Sequence, residues 1–378
     1  MTDRYLGLPL EFWQPGFLGM PYPLWAFTFA MLGLVVGSFL NVVIHRMPLG
    51  ESVVTPPSHC PRCQTRIPLR LNLPVISWLV LRGRCAACGA PISPRYLLVE
   101  AFTGALFLAT WLVFGREEPW VAVALCILFS GFIAATFIDL EHLIIPDEIT
   151  LGGTVVGFLL SAAIPALQHS DGPLEAMKRS GAGIAVGTAI VYGVLRGGKL
   201  VFGRHRIALP ADTRVRFHET GMVLPDGETP FEDLFYRPSD TVRLHARRLE
   251  LADRCYRDQR VELRLAAQPA MLRIGGEEFP ADQEPFMLAE TDQVELPREA
   301  MGLGDVKFMA AIGAFLGWQA TVFSLLFSSV IGTVVAVVLI VTGRQTWSGR
   351  VGYGPYIAAA AMTWVFGGRE WVLRWFGF

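Results

Sequence analysis

The 378 residues are 52% hydrophobic and only 17% charged, with a mean hydropathy of +0.43. Soluble domains of this length carry about 25% charged residues, so an ordinary water-soluble globular chain is excluded. The net charge of −1 gives no argument for nucleic acid, which is not expected as a partner.

In chain order, the uncharged stretch 24–44 is long enough to cross a bilayer. It reads as a span rather than a cleaved leader, because it begins late, has no basic flank and is followed by further spans. The loop 46–95 contains seven Arg and one acid, Glu51, which marks it as cytoplasmic and places the N-terminus outside. Spans are then expected at 96–114 (interrupted by Glu100), 121–138, 149–167 and 181–195. The 35-residue uncharged run 308–342 is too long for one helix and should break at Gly317-Trp318-Gln319, and a last span is expected at 354–368. The fold class is thus an all-α polytopic membrane protein of about eight transmembrane helices. Alternation puts loops 115–119 and 168–178 outside and loops 139–148, 197–300 and 343–353 inside, in agreement with Arg344 and Arg350. Trp25, Trp120, Trp318 and Trp371 lie near span ends, as interface anchors do.

The segment 197–300 holds 15 of the 32 Lys+Arg and 19 of the 33 Asp+Glu, so it faces water. "TVRLHARRLEL" and "QRVELRLAAQPAMLRIGG" alternate apolar and polar residues and predict a small β-rich insert. It is either a docking module for an unidentified partner or a tolerated loop insertion. "GAGIAVG" (181–187) lies within an expected span with no preceding strand, so its small residues point to close helix packing rather than a nucleotide loop.

Four of the six cysteines form "CPRC" (60–63) and "CAAC" (85–88). Two C-x-x-C knuckles at this spacing predict a tetrahedral zinc site on Cys60, Cys63, Cys85 and Cys88. With four thiolates the shell is closed, so the zinc would be structural and would supply folding energy to a loop with few core candidates. A pair of redox dithiols is the alternative. Cys126 and Cys255 lie apart from this pattern.

"MGLGDVKF" (301–308) raises a sharper question, because Asp305 stands at the mouth of the longest apolar run. It is either a helix cap behind a glycine-rich turn or part of a site. In "FIDLEHLIIPDEIT" (137–150), Asp139 closes one span and Asp147 follows Pro146 at the entry to the next. The topology above puts Asp139 and Asp305 at the same face of the membrane. Carboxylates at membrane depth are costly and usually face a cavity. Two of them in a low-dielectric cleft share a proton, the state in which acid hydrolysis of a peptide bond proceeds. Gly302 and Gly304 leave room for an extended substrate against the backbone, and Pro146 leaves Leu143–Asp147 irregular beside a cavity. Asp147 either positions the pair or caps the next helix. Lys307 either bears on the Asp305 carboxylate or snorkels to headgroups. Asn41 and His45 have either a helix-end or a substrate role. Glu100 needs a partner, with Arg95 or a substrate amine as candidates.

Together, "GLGD" (302–305), "DLEHLIIPD" (139–147) and "CPRC…CAAC" resemble the bacterial type IV prepilin peptidases. "GLVVGSFLNVVIHRMP" (33–48), "LRGRCAACGAPISPRYLLVE" (81–100) and "GAFLGW" (313–318) extend the match to most of the chain outside the first ~20 residues and the insert. The resemblance implies a G-x-G-D intramembrane aspartyl protease of the bacterial inner membrane, with Asp139 and Asp305 catalytic and the active site facing the cytoplasm. Its substrates would be prepilins and pseudopilins, whose short basic leader is removed after a Gly. Methylation of the new N-terminal residue by S-adenosylmethionine would follow, associated with the cysteine loop, where Gly83 stands in the family's R-G-x-C context. Peptidase activity without methylation and a non-catalytic assembly scaffold are the alternatives. Domains are expected at 1–22 (periplasmic), 23–45 (first span), 46–95 (zinc loop), 96–196 (spans two to five), 197–300 (cytoplasmic insert) and 301–378 (spans six to eight, ending in the periplasm). Anionic lipid, and the acidic surplus of the insert, would help to draw in a basic leader.

Overall fold

The computed structural model describes residues 4–5, 8–9, 14, 16–202, 204–218, 221–225, 227–231, 241–265, 270–281, 286–297, 302–343 and 352–376. Arg344 and Arg350 of the expected cytoplasmic loop lie outside these residues. The chain divides into two compact units, Met1–Tyr192 with Gly302–Phe378, and Gly193–Met301.

The first unit opens with a short ribbon, β1 (Arg4–Tyr5) and β2 (Leu8–Pro9), before α1 (Tyr22–Arg46). A loop carrying the five-residue α2 (Ile76–Val80) leads to α3 (Pro94–Phe114), α4 (Pro119–His142), α5 (Asp147–Ala163) and α6 (Pro173–Phe202). After the insert come α7 (Leu303–Val341), α8 (Gly354–Thr363) and α9 (Arg369–Phe376). The starts are written locally. Pro94 and Pro119 occupy first-turn positions that need no N–H donor, and the Ser93 side chain accepts the Arg95 N–H at 3.3 Å. Asp147 and Glu148 sit in the first turn of α5, where the helix dipole favours negative charge.

Among the described residues, four helical stretches are long and apolar enough to cross a membrane: Tyr22–Leu49, Pro94–Phe114, Pro119–His142 and Leu303–Val341. This is a membrane protein with half the expected number of such stretches, for local reasons. α5 has only 17 residues, and α6 opens on turns that carry Glu175, Lys178 and Arg179. Two expected spans follow one another in α7, parted at Gly317, and the last is interrupted at Trp364–Gly368, where Gly367 has φ 142°.

The break expected near Gly317 falls on that residue, at φ 78° and ψ 177°. Leaving the helix there removes the donors that the carbonyls of Ala314 and Phe315 would meet four residues on. Buried side chains replace them. Ser161 and Ser180 hydroxyls donate to the Ala314 carbonyl at 2.9 and 2.8 Å, and Gln168 Nε2 donates to Ala314 and Phe315 at 2.9 and 3.0 Å. Arg179 Nη1 in turn donates to the Gln168 carbonyl at 3.1 Å. Replacing Gln168 by Leu leaves a buried carbonyl short of donors, at a cost of about 1–3 kcal/mol. A fall of several degrees in thermal midpoint in detergent is expected, and an unchanged midpoint contradicts this account.

Glycines let helices approach. A Cβ on Gly33 would lie 2.7 Å from the Thr103 carbonyl, and one on Gly37 2.8 Å from Glu100 Cα, so α1 packs directly on α3. Likewise Gly183 meets the Gly313 backbone, and a Cβ on Gly187 would lie 2.7 Å from the Met309 carbonyl. The "GAGIAVG" run therefore packs on α7, as its small residues suggested.

The second unit bears out the β-rich expectation. Its strands are β3 (Arg204–Phe217), β4 (Gly221–Leu224), β5 (Gly227–Pro230), β6 (Val242–Leu251), β7 (Cys255–Arg264), β8 (Met271–Ile274), β9 (Glu277–Pro280) and β10 (Met287–Pro297). They form one antiparallel sheet in the order β5-β4-β3-β10-β6-β7-β8-β9. Burial alternates along β6 at Val242, Leu244 and Ala246, then changes phase to Leu249 and Leu251. The partner strand β10 changes phase after Thr291, where the register with β3 also shifts. Buried Thr291 secures this bulge by donating to the His245 carbonyl at 2.8 Å. One apolar core gathers side chains from β3, β4, β6, β7, β8 and β10, and Phe279 of β9 packs against it.

Candidate functional site

The four cysteine thiols of the loop converge, with all ligand atoms within 4.8 Å of one another. The two knuckles are built alike. Cys60 N–H donates to the Thr65 carbonyl at 3.0 Å and Cys85 N–H to the Ala90 carbonyl at 2.8 Å. Each turn closes with a left-handed residue, Gln64 at φ 58° and Gly89 at φ 70°. Sγ separations of 3.9 Å (Cys60–Cys88) and 4.0 Å (Cys63–Cys85) are close to the ~3.8 Å edge of a tetrahedron with ~2.3 Å metal–sulfur bonds. The cluster can therefore hold a metal ion. The thiolate form is favoured at two of the four: hydrogen bonding from Thr65 brings Cys63 down to about 6, and the Cys88 and Ala87 N–H groups lower Cys85.

Gly83, two residues before Cys85, has φ 65°, and a Cβ there would lie 2.8 Å from the Trp78 ring. Its N–H donates to the Trp78 carbonyl at 2.9 Å and its own carbonyl accepts from Ile92 at 2.7 Å. These contacts give glycine a conformational reason to stand there.

Asp139 lies near the end of α4, which stops three residues later as Leu143 turns left-handed at φ 54°. Asp305 is the third residue of α7. Both carboxylates are buried, at 5% and 7% relative exposure. Asp305 Oδ2 accepts the Gly302 N–H at 3.0 Å, which is a cap contact. Asp139 Oδ2 accepts the Gly354 N–H at 2.8 Å. The two are close enough for their charges to interact. Ile145, in the irregular turn between α4 and α5, marks the cleft between them. A Cβ on Gly304 would lie 3.3 Å from Ile145 Cβ, and one on Gly354 would lie 3.2 Å from Ile145 Cδ1 and 2.9 Å from Asp139 Oδ2. Asp305 is thus both a cap and a member of a pair.

The remaining expected residues lie on α1, α3, α5 and α7 and in the turn before α5. Pro146 is the N-cap of α5, with ψ 144°, and Asp147 is its first residue. Lys307 Nζ reaches Asp147 at 2.6 and 2.8 Å and so ties α7 to α5. Glu100 also differs from expectation: it accepts the Val75 N–H at 2.6 Å, while Arg95 pairs with Glu141, two residues beyond Asp139. Val75 is held at φ 63°, uncommon for a β-branched residue. Asn41 is buried and donates to the Tyr96 carbonyl at 3.1 Å, linking α1 to α3, whereas His45 is exposed.

Reasoning from charge passed over Gly352, Tyr353 and Gly354. A Cβ on Gly352 would lie 2.6 Å from Asp139 Oδ2, and the Tyr353 hydroxyl sits 3.0 Å from both Ser328 and Ser329 Oγ. The available signal was "GYGP", two glycines and a first-turn Pro before an apolar helix, much as "GLG" precedes Asp305.

Comparison with known proteins agrees with this arrangement. Residues 31–114 match the bacterial peptidase A24 N-terminal domain, and residues 293–337 match the type IV leader peptidase family. A prepilin leader peptidase/N-methyltransferase of Aeromonas hydrophila is 26% identical over 95% of each chain. A protein of the same name from Myxococcus xanthus is 47% identical over 39% of this chain and 42% of its own. The type 4 prepilin-like proteins leader peptide-processing enzyme of Escherichia coli O78:H11 is 44% identical over 35% of this chain and 55% of its own. These two stronger matches thus span about half or less of the relatives' lengths. No solved structure matches the chain. With glycine-framed aspartates on two helices, a four-cysteine loop between the first two long apolar helices and matches to both family domains in this order, the chain is similar to the type IV leader peptidases, the A24 peptidases.

Proposed function

We propose that the chain is a membrane aspartyl endopeptidase that removes the basic leader of type IV prepilins or pseudopilins after a Gly at the cytoplasmic face. It would then methylate the exposed N-terminal residue. The observation that carries the peptidase reading is the meeting of two buried carboxylates from different helices, each with one oxygen accepting a backbone N–H. Those N–H groups come from glycines, so the backbone lies against the carboxylates with no side chain between. In the proposed reaction the ionised member of Asp139 and Asp305 takes a proton from water, whose oxygen attacks the scissile carbonyl. The protonated member donates its hydrogen bond to that carbonyl. Collapse of the tetrahedral intermediate breaks the C–N bond, and a proton passes to the leaving amine. The base is not assigned to one residue, because a pair sharing a proton titrates as a unit.

Gly302, Gly304, Pro146 and the Asp147–Lys307 pair hold the two helix starts around the cleft in this reading. The four cysteines would hold zinc in a structural role. S-adenosylmethionine would supply the methyl group, and the Gly83 turn belongs to the loop associated with that step. The membrane arrangement proposed is that of the inner membrane: eight spans, termini in the periplasm, and both the zinc loop (46–95) and the insert (197–300) in the cytoplasm.

The test is incubation of the purified protein with a model prepilin in detergent, with and without S-adenosylmethionine, followed by mass measurement of the product. Cleavage with a gain of one methyl mass only in the presence of the donor is expected. Cleavage without that gain leaves a peptidase alone, and no cleavage by the wild type rejects the enzyme reading in favour of a scaffold.

A further inference from the structure

Ile76, Leu79 and Val80 stand three and four residues apart and so share one face of the short helix α2. That face is turned outward: the three side chains are 58%, 56% and 71% exposed, and Leu73 just before the helix is 50% exposed. Trp78, on the other side, turns in. Its indole Nε1 donates to the Ile92 carbonyl at 3.3 Å, and its ring lies against Gly83. A contiguous apolar face left outside a folded loop marks a surface that meets a protein or a membrane.

Two contacts fix the depth of α2. Glu100 Oε2 accepts the N–H of Val75, the residue immediately before the helix, at 2.6 Å. Glu100 is six residues beyond the start of α3 at Pro94, about 9 Å at 1.5 Å per residue. Opposite it stands Gly37, inside the uncharged stretch 24–44, where a Cβ would lie 2.8 Å from Glu100 Cα. The start of α2 is therefore within a glutamate side chain of two membrane-length helices, beside their apolar length rather than beyond their ends.

The surroundings are cationic. Arg62, Arg66, Arg70, Arg82 and Arg84 are all exposed, and among the described residues none of the five is in an ion pair, whereas Arg95 is paired with Glu141. We infer that α2 is an interfacial anchor. Ile76, Leu79 and Val80 enter the acyl boundary of the adjoining leaflet, and Arg70, Arg82 and Arg84 meet anionic phospholipid headgroups around it. Charge decides against other occupants. A second copy of the chain would bring the same arginines, and a basic peptide would meet like charge. A phospholipid surface supplies an apolar interior and phosphate groups at one level. Because α2 carries Trp78 against Gly83, two residues before Cys85, its seat on the leaflet also sets the height of the second cysteine knuckle. Neither cleavage nor methylation is required for this seating.

The experiment uses the full-length protein in liposomes of phosphatidylcholine with a minority of phosphatidylglycerol. The photoreactive residue p-benzoylphenylalanine is placed at Leu79 or at Val80, and at Ala87 in the exposed turn of the second knuckle as a reference. Adducts are identified by mass after illumination. Lipid adducts at Leu79 and Val80 are expected to exceed those at Ala87 by about tenfold. Among them, phosphatidylglycerol is expected to exceed its share of the bilayer by about fivefold. Combining Arg70→Gln, Arg82→Gln and Arg84→Gln is expected to bring that excess to about twofold or less, with the total lipid yield at Leu79 changed by less than about twofold. Lipid adducts no more frequent at Leu79 and Val80 than at Ala87, or adducts to a second copy in their place, overturn the seating. An unchanged phosphatidylglycerol excess in the arginine variant overturns the headgroup contact.

Discussion

Asp139→Asn and Asp305→Asn are each expected to reduce prepilin cleavage by roughly 10⁴-fold while leaving the chain folded and its metal content unchanged. An amide cannot take a proton from water, and it cannot provide the shared proton that keeps two neighbouring carboxyl groups from both ionising. The substitution is nearly isosteric. In the Asp305→Asn variant the side-chain amide keeps an oxygen to accept the Gly302 N–H, so the cap survives. The two residues act on one step, so the double variant should be no slower than either single one. Turnover within tenfold of wild type in either variant, with thermal midpoint preserved, removes that residue from the proposed chemistry. A companion change separates alignment from chemistry. Gly354→Ala keeps both carboxyl groups but places a methyl 2.9 Å from Asp139 Oδ2 and 3.2 Å from Ile145 Cδ1, and a large fall in kcat is expected.

The second large effect concerns the cysteine loop. Purified protein is expected to carry one zinc ion per chain, and Cys60→Ser or Cys85→Ser is expected to lose it. Structural zinc sites in small domains contribute apparent free energies of about 10–16 kcal/mol at neutral pH. The loop has little else to hold it: Leu73, Ile76, Leu79 and Val80 are all at least half exposed. Loss of metal should therefore open residues 50–90 to rapid proteolysis while the long helices remain protected. A metal-free preparation whose loop resists protease to the same extent shows that the knuckles fold without the ion. Oxidation to disulfides in the purified protein would instead favour the dithiol alternative.

Much of this protein was legible before folding was considered. Length without charge announced the long apolar helices, because water and lipid select composition directly. The cysteine spacing announced the cluster, because a C-x-x-C turn brings two sulfurs to one side of an ion. Alternation announced the insert's strands, and Gly317 announced the break in α7. Other features were misjudged for a common reason. Sequence proximity suggests Asp305 for Lys307 and Arg95 for Glu100, whereas Lys307 reaches Asp147 across 160 positions and Glu100 holds the backbone of Val75. Among the described residues four helices are long and apolar enough to cross a membrane, where uncharged length suggests about eight spans, because apolar length does not register a polar first turn or an interrupted helix.

The amino-acid order by itself determined the long apolar helices, the paired cysteine knuckles and the family resemblance, since each depends on composition or on contacts within a few residues. Only the tertiary structure decided that Gly354 holds Asp139, that Ile145 stands between the two acid-bearing helix ends, and that Glu100 ties the cysteine loop to α3. Backbone N–H groups have no letter in a sequence. They become chemical features only when packing brings distant segments together.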